Sequence, residues 1–248
     1  MTEYVGGRLW AALSILGFFL FWEVAVHLLE IPAYLLPPVS GIVGQIYSDL
    51  ANLLGAAGVT LFQAIAGFLI GTLVGLALAI ALTFMKSIRQ SLLSIVVAIN
   101  TVPMIAYAPL VILWFGVGME SKVIIVACEV GFTVLLGTLG GLNQTDRRSV
   151  DLLRSFGAGP LTIMTRLRLP TALPAIMTTL RLSTVRSIIA TIVVEMLGAY
   201  QGLGWTIFQS VVMSDFLTVW AAIFLASVMS LLFFGLISWL ERRLVFWR

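Results

Sequence analysis

Six long apolar runs dominate the chain, at about 9–29, 57–84, 91–115, 122–143, 171–199 and 217–240. A helix needs about 20 apolar residues to cross the hydrocarbon core of a bilayer, and each run supplies them. Backbone at that depth has no water to bond, so a spanning segment must pair its own N–H and C=O groups as a helix, or close with others into a barrel. A barrel strand is about ten residues long and alternates apolar with polar. These runs are continuous and more than twice that length. Composition agrees: 60% of the residues are hydrophobic and 10% charged, against about 45–50% and about 25% in soluble domains. A soluble enzyme, a disordered chain and a free nucleic-acid-binding domain are excluded. The expected fold class is an all-α membrane protein with six transmembrane helices in one domain, residues 1–248, with a core at about 57–240.

The few charges set the expected orientation. With the N-terminus inside, Arg8, Lys86, Arg89, Arg147, Arg148, Arg154, Arg166, Arg168, Arg242, Arg243 and Arg248 fall on the cytoplasmic side. Only Lys122 falls outside, and Arg181 and Arg186 lie within a span. Cytoplasmic loops carry the excess of Lys and Arg, so both termini are expected inside. The net charge of +3 then reports topology rather than nucleic acid as a partner. The first run, following Arg8 and continuing to about Leu29, is longer than the apolar part of a signal peptide, about 7–15 residues, and reads as a retained span. The connection after it contains Leu36-Pro37-Pro38 and then an amphipathic run to about Leu54, expected as a short helix at the membrane surface. The one cysteine, Cys128, makes no disulfide and no thiol metal site, and reads as a small buried apolar residue.

The longest cytoplasmic connection, about 144–170, reads as two short helices around a break at Gly157, Gly159 and Pro160. Ser149 is the expected cap of the first, with Asp151 in its first turn. The second is expected to stop at Leu169-Pro170. Such a basic segment is either a surface loop that follows the charge rule or a docking element for a cytoplasmic partner. Asp151-Leu152-Leu153, three residues, Gly157, nine residues, Leu167, one residue and Leu169-Pro170 resemble the signature of permease subunits of bacterial ATP-binding-cassette importers. That signature is Glu-Ala-Ala, Gly, Ile and Leu-Pro at the same spacing. Asp for Glu and two leucines for two alanines are the departures. Leu113-Trp114-Phe115-Gly116-Val117-Gly118 with Ser121-Lys122, Leu36-Pro37-Pro38-Val39, Leu180-Arg181, Glu195 and Gly202-Leu203-Gly204 are similar to the nitrate, sulfonate, taurine and bicarbonate branch. That branch has relatives importing thiamine-precursor pyrimidines or riboflavin.

The resemblance implies a type I importer permease fold in the bacterial inner membrane. It implies a second permease copy, two cytoplasmic ATPase subunits and an extracytoplasmic binding protein as partners. Asp151, Leu152, Leu153, Gly157, Ala158, Leu167, Leu169 and Pro170 then couple the ATPase to the spans. The chain has no Gly-rich loop followed by Lys-Ser or Lys-Thr to cradle phosphates. So no cofactor is expected on this chain, ATP and Mg belong to the partner ATPase, and the chain is not itself an enzyme.

Charges inside spans are expensive and mark either a wet pathway or an ion pair. Arg186, near the middle of the fifth run, either attracts an anionic group through its planar fork or pairs with Glu129 or Glu23. Arg181 lies in the cytoplasmic half of the same run. Glu195, near its outer end, has a structural or a gating role, as do Glu129 and Arg181. At about 1.5 Å per residue neither arginine reaches Glu195 along the helix, so each needs a partner elsewhere. Asn100, Thr101, Pro103 and Tyr107 sit where Pro103 and Pro109 kink or break the third run, which either lines the pathway or is a packing kink. Glu23 and His27, four residues apart on one helical face, form a proton relay or an interfacial pair. Gly67, Gly71 and Gly75 permit close helix approach within the chain or between copies. No metal site is expected from one histidine.

The leading expectation is therefore the pathway subunit of an ATP-driven importer for a small anion, acting as a homodimer by alternating access. A pyrimidine precursor or flavin-like solute is the alternative on the same machinery. An ion-coupled secondary transporter using Glu23, His27 and Glu129, and a scaffold without transport, are the alternatives from other classes.

Overall fold

The computed structural model describes residues 2–246, which are helices and turns with no strand among them. In chain order these are α1 (Thr2–Leu28), α2 (Val39–Ser48), α3 (Leu50–Phe84), α4 (Lys86–Asn100), α5 (Met104–Phe115), α6 (Met119–Asn143), α7 (Arg147–Ser155), α8 (Pro160–Ile163), a π turn Met164–Arg168, α9 (Leu169–Gly198), α10 (Leu203–Val212) and α11 (Phe216–Leu244). Arg248 and the side chains of Arg8 and Lys86 lie outside the described residues.

Three helices, α3, α6 and α11, are long and apolar enough to span by themselves. Two bent pairs raise the number to five if each counts once: α4 with α5, bent by 89°, and the helix ending at Gly198 with α10, bent by 48°. A shorter apolar stretch, Leu13–Leu28, lies in α1. The third expected span is thus two helices, not one. Pro103 has no N–H to give and disfavours helical backbone at Val102, so the chain turns there and restarts at Met104. Pro109 is absorbed inside α5. The amphipathic run after Pro38 is also divided: α2 ends at Ser48, and Leu50 to Leu54 already belong to α3.

The expected helix stop at Leu169-Pro170 does not occur. The π turn bonds Leu169 N–H to Met164 O, and Pro170 takes an early position in α9, where a missing N–H costs little. The fifth span is therefore continuous with the second short helix of the connection. Asp146, not Ser149, caps α7, accepting from Arg148 N. Ser149 Oγ instead donates to Asp146 Oδ2 at 3.4 Å.

Small residues bring α3, α6 and α9 together. A Cβ on Gly71 would lie 2.5 Å from Ala127 O and 2.9 Å from Gly131 N, and one on Gly75 2.6 Å from Gly131 O. One on Gly141 would lie 2.9 Å from Ala175 Cβ. The Gly67, Gly71 and Gly75 stripe is thus a contact within the chain, and close backbone approach there replaces the hydrophobic effect that lipid removes. Ala64, Phe68, Val126, Val130 and Val134 fill the seam. α11 joins through Phe68 against Phe233, with ring centres 5.1 Å apart. α1 lies on α11 through Trp22 against Trp220 at 5.5 Å, with Trp22 Nε1 donating to Pro37 O at 3.1 Å. One expectation about burial reverses: Cys128 is exposed. Lys122, at the start of α6, is 1% exposed.

Candidate functional site

α5, α6 and α9 carry a chain of polar side chains near the middle of the apolar bundle. Tyr107 OH donates to Glu129 Oε1 at 2.9 Å. One turn along α6, Thr133 Oγ1 donates to Glu129 O at 3.0 Å. Arg186 Nη1 reaches across from α9 to Thr133 Oγ1 at 3.4 Å. Tyr107 and Glu129 are half-buried and Arg186 is exposed. Arg186 makes no ion pair with Glu129 or Glu23 among the described residues; the hydroxyl of Thr133 stands on its path to α6. The arrangement therefore presents a cation, a carboxylate and a phenol around one face, with the N–H groups of the guanidinium beyond the one on Thr133 open to an acceptor. Leu182 and Ile189 flank Arg186 on that face of α9 and are 57% and 55% exposed. Asn100, Thr101 and Pro103 do not join this group. They are exposed at the α4–α5 bend, where Thr101 Oγ1 donates to Ala98 O at 2.6 Å. Sequence reasoning missed Thr133, although its spacing of four from Glu129 was a usable signal.

The other intramembrane charges hold corners of the fold. Glu195 is fully buried, accepting from Thr60 Oγ1 at 3.0 and 2.9 Å and from Gly204 N at 2.8 Å. Thr60 Oγ1 in turn accepts from Leu203 N at 2.8 Å. This knot fastens the α9–α10 bend to α3. Gly202, with φ +106, packs directly on the carboxylate, so no side chain fits there. Lys122 Nζ donates to Val117 O at 2.5 Å and to Gly198 O, closing the same corner. Arg181 pairs with Glu241 of α11 at 3.1 Å and lies over the Phe234 ring at 5.6 Å. Glu23 accepts from Ser40 N at 3.1 Å and Ser40 Oγ at 2.6 Å, with His27 Nε2 at 3.1 Å. That triad ties α1 to α2. No group of three metal-ligating side chains occurs among the described residues.

The signature connection has its own geometry. Gly157 has φ +78. Its N–H bonds to Arg154 O at 2.9 Å and that of Ala158 to Leu153 O at 3.0 Å, the Schellman closure that glycine permits. So the glycine of the motif ends α7 and turns the chain toward Pro160. Leu152 and Phe156 stand out 58% and 78% exposed, and Leu161 follows at 72%. Asp151 is exposed and pairs with Arg154 at 3.2 Å. Leu153, Ala158, Leu167 and Leu169 are half-buried behind them, and Pro170 is exposed.

Apolar helices long enough to span, two bent pairs and ionisable groups among them define an integral membrane protein of several spans. The model of the family described as binding-protein-dependent transport system inner membrane component matches residues 67–246, and the chain belongs to that family. It is 32% identical to a probable ABC transporter permease protein of Haemophilus influenzae over 96% of this chain and 98% of that one. It is 30% identical to the formylaminopyrimidine transport permease protein of Halalkalibacterium halodurans, over 92% and 91%. It is also 30% identical to a putative aliphatic sulfonates transport permease protein of Bacillus subtilis, over 92% and 83%. Its fold is similar to an inward-facing methionine ABC transporter chain, with TM-score 0.71 at 16% identity over 79% of this chain and 98% of that one. An amino acid ABC transporter chain gives 0.67 at 22% identity over 80% and 97%. The fold is thus that of a type I ABC importer permease, and the chain is a multi-pass inner-membrane protein.

Proposed function

We propose that two copies of this chain form the pathway of an ATP-driven importer. Two ATPase subunits dock on the 144–170 connection, and a binding protein delivers solute from outside. ATP and Mg are held by those ATPases and by nothing in this chain. The six crossings are α1, α3, the bent α4–α5 pair, α6, α9 and α11, with both termini cytoplasmic and the whole chain one domain. One observation carries the pairing: Arg186 is exposed at mid-depth on an otherwise apolar face of α9. An arginine facing lipid there is costly, so the face turns to a second copy across a wet pathway. Asp151, Leu152, Leu153, Gly157, Ala158, Leu167, Leu169 and Pro170 transmit ATPase closure through the continuous helix into α9. Tyr107 and Arg186 line the pathway, with Asn100, Thr101 and Pro103 at its bend. Glu195 and Arg181 hold its walls.

The solute in this reading carries an anionic group, such as a sulfonate, which the guanidinium of Arg186 attracts. A second reading, an aminopyrimidine, is favoured by Glu129 and Tyr107, whose carboxylate and phenol suit ring nitrogens and amino donors. The test is reconstitution of the chain with its ATPase and binding protein in liposomes. ATP-dependent uptake of labelled taurine, an alkyl sulfonate or bicarbonate, lowered at least about tenfold by Arg186→Gln, supports the anion. Uptake of formylaminopyrimidine, lowered by Glu129→Gln and spared by Arg186→Gln, selects the second reading. Uptake driven by a proton gradient without ATP overturns both.

A further inference from the structure

The ends of α3, α4, α6 and α7 on the side of the 144–170 connection border an open cavity of about 520 Å³. Of its lining residues, only Asp151 is given a role above. Arg89, Arg147, Arg154 and Arg168 line it, against the single carboxylate of Asp151. That carboxylate is already taken by Arg154, so the walls carry a surplus of positive charge. Arg168 Nε is buried and has no hydrogen-bond partner among the described residues. A second cavity, of about 240 Å³, shares Arg154 and Arg168 and runs on past Phe84, Ile163 and Met164. The cations thus open onto an apolar slot.

Helix geometry separates this cavity from the exposed ridge of the connection. At about 100° per residue, Arg147, Val150, Asp151 and Arg154 share one face of α7, and Leu152 and Phe156 lie on the other. Val150 is 6% exposed, whereas Leu152 and Phe156 are 58% and 78% exposed. The ridge that can dock a partner lies on one side of α7; on the other, Val150 packs against the bundle, with Arg147, Asp151 and Arg154 exposed around it at the mouth of the cavity.

We propose that this cavity binds the phosphate of an anionic phospholipid, with an acyl chain along Phe84, Ile163 and Met164. Guanidinium forks match phosphate oxygens in pairs, and Arg168 Nε lacks the acceptor that such an oxygen supplies. Basic pockets between spans at the cytoplasmic surface take anionic headgroups. A lipid seated here bridges the α3–α4 corner to α7, and so ties the connection to the bundle.

The experiment is native mass spectrometry of the full chain in detergent, titrated separately with phosphatidylglycerol, phosphatidylcholine and inorganic phosphate. The titration uses the chain without ATPase, binding protein or solute, so its failure leaves the transport reading standing. Phosphatidylglycerol is expected at one tight site, weakened about thirtyfold by Arg89→Gln with Arg168→Gln. Arg148→Gln, on the same connection but outside the cavity, is expected to change nothing. If the double variant does not fold, each single variant carries the test, with about a fivefold loss expected. Equal binding of phosphatidylcholine, or no loss in the variants, overturns the proposal. So does saturation of the same site by phosphate alone, which makes the ligand a free anion. Stoichiometric release of the lipid when the ATPase subunit joins overturns it too, by assigning the arginines to a protein partner.

Discussion

Replacing Glu195 by alanine separates a structural corner from a moving gate. The carboxylate receives two distinct donors, the Thr60 hydroxyl and the Gly204 N–H, at a site closed to solvent. Hydrogen bonds to a charged acceptor contribute about 1.5–3 kcal/mol each, so removing both costs about 3–6 kcal/mol. For a chain of this size that lowers the melting temperature by at least about 6 °C. Glutamine is expected to cost much less. Its amide oxygen can keep the Gly204 N–H, and its NH2 can donate to Thr60 Oγ1. The Thr60 proton then turns to Ala56 O, which already lies 3.2 Å away. Thermal unfolding of the detergent-solubilised chain, followed by loss of the monodisperse chromatographic peak, orders the variants. The expected order is wild type, Glu195→Gln, then Glu195→Ala well below. A Glu195→Ala chain as stable as wild type but unable to transport would refute the argument and make Glu195 a gate.

Four further outcomes follow from the same geometry. Gly71→Val drives a side chain into the Ala127 carbonyl and Gly131 amide of α6, backbone that cannot move aside, and is expected to abolish the folded peak. Gly58→Ala meets nothing within 4 Å and is expected to leave it unchanged or raise stability by about 0.5–1 kcal/mol. Gly157→Ala places a Cβ at φ +78 and costs about 1–2 kcal/mol, read as a lower melting temperature and weaker copurification with the ATPase. Phe156→Asp alters a side chain 78% exposed, so the melting temperature should hold while ATPase association falls at least about tenfold.

The apolar runs were legible because lipid leaves the backbone no alternative to helix, and the α4–α5 break because Pro103 removes a donor. What the runs do not carry is direction. In a bilayer the outer surface of a bundle is as apolar as its interior, so hydropathy cannot separate a buried face from a lipid-facing one. That is why Cys128 read as buried and is exposed. The burial of Lys122 at the start of α6 was not legible either: two backbone carbonyls, Val117 O after α5 and Gly198 O at the end of α9, solvate its ammonium inside the fold. Pairing across helices was equally hidden. Arg181 finds Glu241 sixty residues away, and Arg186 meets Thr133 only because particular faces of α6 and α9 touch. The one directional signal such a sequence does hold is residue size. Glycines recurring at four-residue intervals mark the side of α3 that another backbone must approach, and the 2.5 Å from a Gly71 Cβ to Ala127 O shows how little room that side leaves. Read that way, small residues locate the packed faces. Arg186, between the exposed Leu182 and Ile189, lies on the face of α9 that the proposed function gives to a second copy.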